Sequence, residues 1–375
     1  MKYYLIAGEA SGDLHGSNLV KALRKEDPAA DIRAWGGDLM CEAGATVVKH
    51  YRELAFMGFL EVVKNLRTIM RNFRFCKSDV LAFQPDVLIL IDYPGFNLRM
   101  AKWAKSQGIR VFYYISPQLW AWHSSRVHQI KANVERMFVI LPFETDFYRQ
   151  YDYEVDFVGH PLLDVIADRP RNPALLSELG LNNDPIIALL PGSRRQEIQR
   201  MLSVMLQVIP DFPHAQFVIA GAPAIPRSYY EQIIQHTNLP EKARQRLFIA
   251  ENRTYDLLQY SHAALVTSGT ATLETALFGV PQVVCYSGNP LSYWIARRLV
   301  NVKYISLVNL IIDRPLVKEL IQHELTPENL QSELQALLGD KRNELLEGYR
   351  HLQKALGESG ASARAANIMV NVLMC

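Results

Sequence analysis

The chain reads as an α/β protein built from two doubly wound parallel sheets. Three observations predict this. Short apolar runs alternate with helical segments along the whole sequence. Several of those runs are apolar at every position, which marks parallel strands covered on both faces. The rhythm pauses once, at the polar and proline-rich Asp168-Arg169-Pro170-Arg171-Asn172-Pro173, and then resumes. At 375 residues the chain is long enough for two ordinary cores. The predicted domains span 1–168 and 174–344 and face each other across a central cleft, with helices of about 345–375 able to pack back on the first.

In the first half the strand candidates are Tyr3–Ala7, Ile32–Trp35, Val87–Ile91, Val111–Ile115, Met137–Leu141 and Val155–Val158. Gly8-Glu9-Ala10-Ser11-Gly12-Asp13 follows the first of them directly, and His15 comes next. Glycine lets the backbone turn tightly and approach a ligand. The packed polar groups Glu9, Ser11, Asp13 and His15 suit a hydroxyl-rich ligand better than a pyrophosphate. The ordinary alternative is that Ser11 or Asp13 caps a helix. Neither the G-x-G-x-x-G fingerprint nor a phosphate loop of the G-x-x-x-x-G-K-[ST] type occurs.

From Phe56 to Phe83 the pattern is helical. Phe59, Val62, Val63, Leu66, Ile69, Met70 and Phe73 recur at helical spacing, beside a row of Lys64, Arg67, Arg71 and Arg74. An apolar stripe with a basic neighbour fits a membrane surface, but is more usually a core-facing helix with a solvated basic face. Just before it, the apolar Ala55-Phe56-Met57-Gly58-Phe59-Leu60 suits an acyl-chain entrance, with Met57 and Phe59 as its candidate residues. Trp120, Trp122, Trp294, Arg297, Arg298 and Lys303 could extend such a surface.

Asp92 ends the buried run Leu88-Ile89-Leu90-Ile91. A carboxylate at the carboxyl end of a central strand points into the crevice between domains. Partial burial raises its pKa and makes it a better general base. A turn or capping aspartate is the plainer reading.

The second half resumes with strands at Ile186–Leu190, Phe217–Ala220, Leu247–Ile249, Ala264–Thr267 and Val283–Tyr286. Two strand-to-helix turns stand out. Pro191-Gly192-Ser193-Arg194 precedes a helix that carries Glu197, and Ser268-Gly269-Thr270-Ala271-Thr272 precedes one that carries Glu274. Each sets backbone N–H groups and hydroxyls at the positive end of a helix, beside a strand's carboxyl end, where anions bind. Arg194 adds a fork of donors suited to phosphate oxygens, and Glu274 could accept from a ribose. Singly, each turn is most often an ordinary cap; as a pair they point to a nucleotide diphosphate. The tail from about Lys341 is helical with a break at Glu358-Ser359-Gly360.

The net charge of +2 argues against a nucleic-acid partner. Cys41, Cys76, Cys285 and Cys375 lack the spacing of metal knuckles or redox pairs, which suits a reducing compartment. Met1–Ala7 meets Glu9 and Asp13 too soon for a secretory signal, and no apolar run approaches the roughly 18 residues of a spanning helix. A cytoplasmic protein is expected, without metal or other cofactor; the oligomeric state stays open.

Glu9-Ala10-Ser11-Gly12-Asp13, Ala55-Phe56-Met57-Gly58, Ile91-Asp92-Tyr93-Pro94, Ser116-Pro117-Gln118-Leu119-Trp120-Ala121-Trp122, Leu190-Pro191-Gly192-Ser193-Arg194, Ser268-Gly269-Thr270-Ala271-Thr272-Leu273-Glu274 and Ser306-Leu307-Val308-Asn309-Leu310 occur in this order. Together they resemble the lipid-A-disaccharide synthase family over nearly the whole chain. The resemblance implies a GT-B fold and an inverting glycosyltransferase. It would condense UDP-2,3-diacylglucosamine with 2,3-diacylglucosamine 1-phosphate (lipid X), releasing UDP, at the cytoplasmic surface of the inner membrane. It implies Asp92 as the base, and Arg194 and Asn309 in activity or nucleotide binding. Many members carry Pro-Asp-Phe-Asn after that aspartate where this chain has Pro94-Gly95-Phe96-Asn97, so a second carboxylate there has no role here. The rival expectations are a non-hydrolysing UDP-N-acetylglucosamine 2-epimerase and a non-enzymatic lipid- or nucleotide-binding protein.

Overall fold

The computed structural model describes residues 1–54, 66–122, 124–167, 169–289 and 302–374. It divides into two compact units. One comprises Met1–Asp164 and Leu356–Cys375, the other Val165–Ala355.

The first unit is built on a seven-stranded parallel sheet. Its strands are β1 (Lys2–Ala7), β2 (Asp31–Gly36), β3 (Thr46–His50), β4 (Val87–Ile91), β5 (Arg110–Tyr114), β6 (Arg136–Val139) and β7 (Asp156–Phe157). Their order is β3-β2-β1-β4-β5-β6-β7. Alternation along β1 divides the core between two faces. Tyr3, Leu5 and Ala7 meet Leu19, Val20 and Leu23 of helix Ala10–Glu26. Tyr4 and Ile6 belong to the opposite cluster, with Phe73, Cys76 and Val80 of helix Leu66–Phe83 and Met100, Ala101 and Ala104 of helix Pro94–Ser106. Every residue of β4 is buried, as its unbroken apolar run requires.

The last helix, Ala361–Met374, returns to this unit. Ala365, Ala366, Met369 and Val370 join the first cluster. The Asp164 carboxylate caps its start, accepting from the amides of Gly360, Ala361 and Ser362. The preceding helix, Lys341–Ala355, stays with the second unit.

The second unit carries a six-stranded parallel sheet of β8 (Ile186–Leu190), β9 (Gln216–Gly221), β10 (Leu247–Glu251), β11 (Ala263–Thr267), β12 (Gln282–Tyr286) and β13 (Lys318–Ile321). Its order is β10-β9-β8-β11-β12-β13. Counted from each unit's own first strand, both orders contain 3-2-1-4-5-6, the dinucleotide-fold arrangement, and the first unit adds a seventh strand beyond the sixth. The order reverses at the first and fourth strands of each unit, and ligands of such sheets bind outside the carboxyl ends there. Those switch points are β1/β4 and β8/β11. β3 and β13 lie at sheet edges and carry charged residues that hide them from an apolar-run reading. Among the described residues no helix is long and apolar enough to cross a membrane.

Candidate active site

At the first switch point Ala7 is in register with Ile91, so Gly8 and Asp92 leave the sheet side by side. The chain then does something unusual. Asp92 has φ +43° and Tyr93 φ +50°, two successive non-glycine residues in the left-handed region. Side chains around the turn hold them there. Asn97 Nδ2 donates to the carbonyls of Asp92 (2.7 Å) and Ile91 (3.2 Å). The Tyr113 hydroxyl donates to the Asp92 carbonyl (2.6 Å), and the Asp92 amide donates to Tyr114 (3.2 Å). The Tyr93 ring lies where a Cβ on Gly8 would sit, 2.4 Å from its nearest carbons, so the first glycine is required by packing.

The Asp92 carboxyl is thus aimed by its backbone. Burial, with the Glu9 carboxylate adding to it, pushes it up to about 6; the Tyr93 amide works against both. Glu9 itself is exposed and occupies the N-cap of helix Ala10–Glu26 without a side-chain capping bond. Neither Ser11 nor Asp13 caps that helix. Ser11 is exposed in its first turn. Asp13 is buried and caps a different one, Asp38–Glu42, accepting from the amides of Gly37 (2.7 Å), Met40 (3.1 Å) and Leu39 (3.2 Å). A carboxylate so occupied is a fold element, whereas the Glu9 side chain makes no capping bond and its charge acts on Asp92.

His15 is half-buried, its Nδ1 buried and unpartnered, and desolvation pushes its imidazole down to about 4. The nearby His160 is pushed down to about 3, first by burial and then by His15. Both rings are neutral in the fold at pH 7. After β5, Ile115 has φ +66° and Ser116 Oγ lies 2.7 Å from the Tyr148 hydroxyl, which anchors the start of the Ser116–Trp122 segment. Beneath it Glu144 is buried, pushed up to about 7, and accepts from the amides of Ile140 and Leu141.

Helix Leu66–Phe83 has a core face and an exposed face. Phe73, Cys76 and Val80 are core. Met70, Phe75 and Leu81 are large apolar side chains left exposed, with Arg67, Arg71 and Arg74 exposed among them. Phe56, Met57, Phe59, His123, Trp294, Arg297 and Arg298 lie outside the described residues.

At the second switch point Leu190 is in register with Val266, so the two turns start on neighbouring strands, about 4.8 Å apart. Gly192 has φ +106°, and a Cβ there would fall 2.2 Å from Glu197 Oε2. Glu197 folds back from helix Arg195–Met205 and accepts from the Ser193 amide (3.0 Å). It therefore shapes the turn, and its charge faces the amide that an anion would use. Ser193 and Arg194 are exposed, with Arg194 at the N-cap.

In the other turn the Ser268 amide donates to Cys285 (3.1 Å) and its hydroxyl to the Ile305 carbonyl (2.8 Å). Gly269 is the N-cap of helix Thr270–Leu277; Thr270 is exposed and Ala271 half-buried in its first turn. Thr272 is buried, its hydroxyl donating to Gly269 (2.8 Å). Glu274 accepts from the Tyr255 hydroxyl (3.0 Å), and burial pushes its carboxyl up. Asn309 is buried. Its Nδ2 donates to the Val317 carbonyl and to Glu319, and its Oδ1 accepts from the Val317 amide, each at 2.9 Å. Both ends of this amide serve the fold. Tyr113 and Glu319, both part of these frameworks, carry no local signal, because their bonds cross to other segments of the chain; Asn97 bonds the turn five and six residues before it, a local signal that the sequence reading did not use. Among the described residues no group of three or more His, Cys, Asp or Glu is arranged to hold a metal ion.

Comparison with known proteins bears on what these turns serve. The family model for lipid-A-disaccharide synthetase matches residues 3–370. A lipid-A-disaccharide synthase from Syntrophus aciditrophicus is 41% identical over 98% of this chain and 97% of its own length. Two solved structures share the fold. The UDP-GlcNAc 2-epimerase from Neisseria meningitidis has a TM-score of 0.66 at 14% identity, covering 100% of both chains. The kitacinnamycin glycosyltransferase has a TM-score of 0.65 at 14% identity, covering 99% of this chain and 98% of its own. The two units are the Rossmann-like halves of a GT-B fold, and the chain belongs to the lipid-A-disaccharide synthase family, glycosyltransferases of lipid A biosynthesis.

Proposed function

We propose that the second unit holds the UDP part of UDP-2,3-diacylglucosamine and the first unit holds lipid X, with Asp92 as the base. The observation that carries this is the raised, backbone-aimed Asp92 carboxyl at one switch point, with two helix-start turns and Arg194 at the other. A base poised near 6 is ionised at neutral pH yet still accepts a proton. It takes the proton of the acceptor's 6-hydroxyl as that oxygen attacks the anomeric carbon of the donor. The bond to the diphosphate breaks from the opposite face, so the centre inverts in one displacement and UDP leaves. Arg194 and the amides at the start of helix Thr270–Leu277 stabilise the charge that builds on the diphosphate. Glu274 meets the ribose. Glu197 and Asn309 act by holding their turns rather than by touching phosphate.

Both substrates carry acyl chains, whose burial is worth about 0.8 kcal/mol per methylene, so the enzyme works at the inner membrane's cytoplasmic surface. The exposed Met70, Phe75 and Leu81 among Arg67, Arg71 and Arg74 support helix Leu66–Phe83 as part of the contact, with Met57 and Phe59 at the acyl entrance. The epimerase reading rests on fold likeness at 14% identity, whereas the family match spans nearly the whole chain.

The test supplies purified protein with UDP-2,3-diacylglucosamine and lipid X in detergent micelles and follows UDP and disaccharide 1-phosphate together. One-to-one appearance of both products supports the reading. No disaccharide across several detergents, with conversion of soluble UDP-N-acetylglucosamine to its 2-epimer, overturns it.

A further inference from the structure

The diphosphate turn at Ser268 is held from a strand with no motif of its own. Glu319, on the edge strand β13, directs both carboxylate oxygens at the segment that precedes helix Leu307–Ile312. Oε2 accepts from the Ile305 amide (3.0 Å); Oε1 accepts from the Ser306 amide (3.0 Å) and from Asn309 Nδ2 (2.9 Å). The Ile305–Ser306 peptide is therefore gripped at both ends. Its N–H goes to Glu319, and its carbonyl receives the Ser268 hydroxyl at 2.8 Å. Ser306 is fully buried and caps the short helix, accepting from the Asn309 amide (3.2 Å). One carboxylate thus fixes the peptide that fixes Ser268, and Ser268 is followed at once by Gly269 and the first amides of helix Thr270–Leu277.

From this chain of bonds we infer that Glu319 is a positioning residue for donor binding: through Ile305 it sets the orientation of the Ser268–Thr270 turn. The inference rests on the proposal that this turn binds the diphosphate of UDP. It also gives Asn309 a specific task, since Asn309 completes the three-donor shell of Glu319 and ties it to Val317. Glutamine at 319 has one oxygen and one NH2. With its oxygen kept on Ser306 and Asn309, its NH2 faces the Ile305 amide, donor against donor. The peptide loses one of its anchors without loss of side-chain volume.

The experiment measures UDP dissociation constants, KM and kcat, and thermal midpoints for wild type, Glu319→Gln, Ser268→Ala, their double variant, and Arg194→Ala. Expected are a roughly tenfold weaker UDP affinity and a matching rise in donor KM for Glu319→Gln, with little change in kcat. Ser268→Ala weakens UDP similarly, and the double variant is no worse than the poorer single, because both break one linkage. Unchanged UDP affinity in Glu319→Gln with a lowered thermal midpoint overturns the inference, as do single effects that multiply in the double variant. If Glu319→Gln does not fold, Glu319→Asp keeps both acceptor oxygens on a shorter arm and must show the same KM rise; unchanged affinity there is equally fatal. If Arg194→Ala and Ser268→Ala both leave UDP affinity intact, the diphosphate assignment itself falls, and the role of Glu319 falls with it. If those two weaken UDP and both 319 variants do not, only the role of Glu319 falls.

Discussion

Replacing Glu9 by glutamine should move the acidic limb of the rate profile and leave its plateau in place. Asp92 is raised from its ordinary 3.8 to about 6, first by burial and second by the Glu9 charge. Glutamine removes only the second cause. Glu9 is exposed and its side chain makes no capping bond, so the turn keeps its shape. Glu9 is the second of the two raising causes, so the limb falls below about 6, while burial still holds it above the ordinary 3.8. At pH 5 the ionised fraction then rises above its wild-type value of about one tenth, so kcat/KM should rise there by a factor bounded at about ten by full ionisation. At pH 8 the two proteins should be equal. The assay is UDP release from pH 4.5 to 8.5, with both substrates in micelles. The acceptor's phosphate also titrates near 6, but it does not respond to residue 9, so the difference between the two profiles isolates Asp92. A limb that stays in place refutes the electrostatic link. A uniform loss at every pH would make Glu9 a binding group instead.

Other consequences follow from the same framework. Asn97→Ala removes the buried amide that holds the Ile91 and Asp92 carbonyls, and should cost about 1–3 kcal/mol in urea unfolding while lowering kcat more than UDP affinity. Gly192→Ala places a Cβ at φ +106° against Glu197; it should cost about 1–2 kcal/mol and weaken UDP binding, read by denaturation and titration calorimetry. His15 and His160 are neutral in the fold down to about 4 and about 3, whereas an unfolded histidine takes up its proton near 6.5. Between pH 6.5 and 4 the unfolded chain binds more protons at these rings, so stability should fall as pH falls through that window. Asp92 has the opposite sign between pH 4 and 6, where the folded state holds the extra proton. Denaturation midpoints of wild type and His15→Gln across pH 4.5–7 should show a shallower slope in the variant.

The parallel strands were legible because burial on both faces leaves little room for polar residues, as in Val87–Ile91 and Ile186–Leu190. The edge strands Thr46–His50 and Lys318–Ile321 escaped because an edge tolerates charge, and their Lys49, His50, Lys318 and Glu319 break the apolar run. The turns were legible for a local reason: glycine and hydroxyl residues cluster where a strand gives way to a helix. What each polar group does there was less legible. Asp13 sits in such a turn, yet it caps a helix that begins 25 residues later. Asn309 carries a family motif, yet its amide serves Val317 and Glu319. Such partners are set by tertiary packing. Glu197 is the exception: a carboxylate four residues after Ser193 could have been read as a local bond to that amide.

The most direct test of the central claim is the turnover of Asp92→Asn measured beside its affinity for UDP. Asparagine keeps the size of the side chain and removes the base. The variant should lose about 10²- to 10⁴-fold in kcat at pH 8, with the UDP dissociation constant unchanged and the acidic limb near 6 gone. Disaccharide formed at close to the wild-type rate would contradict it and remove Asp92 from the proton transfer.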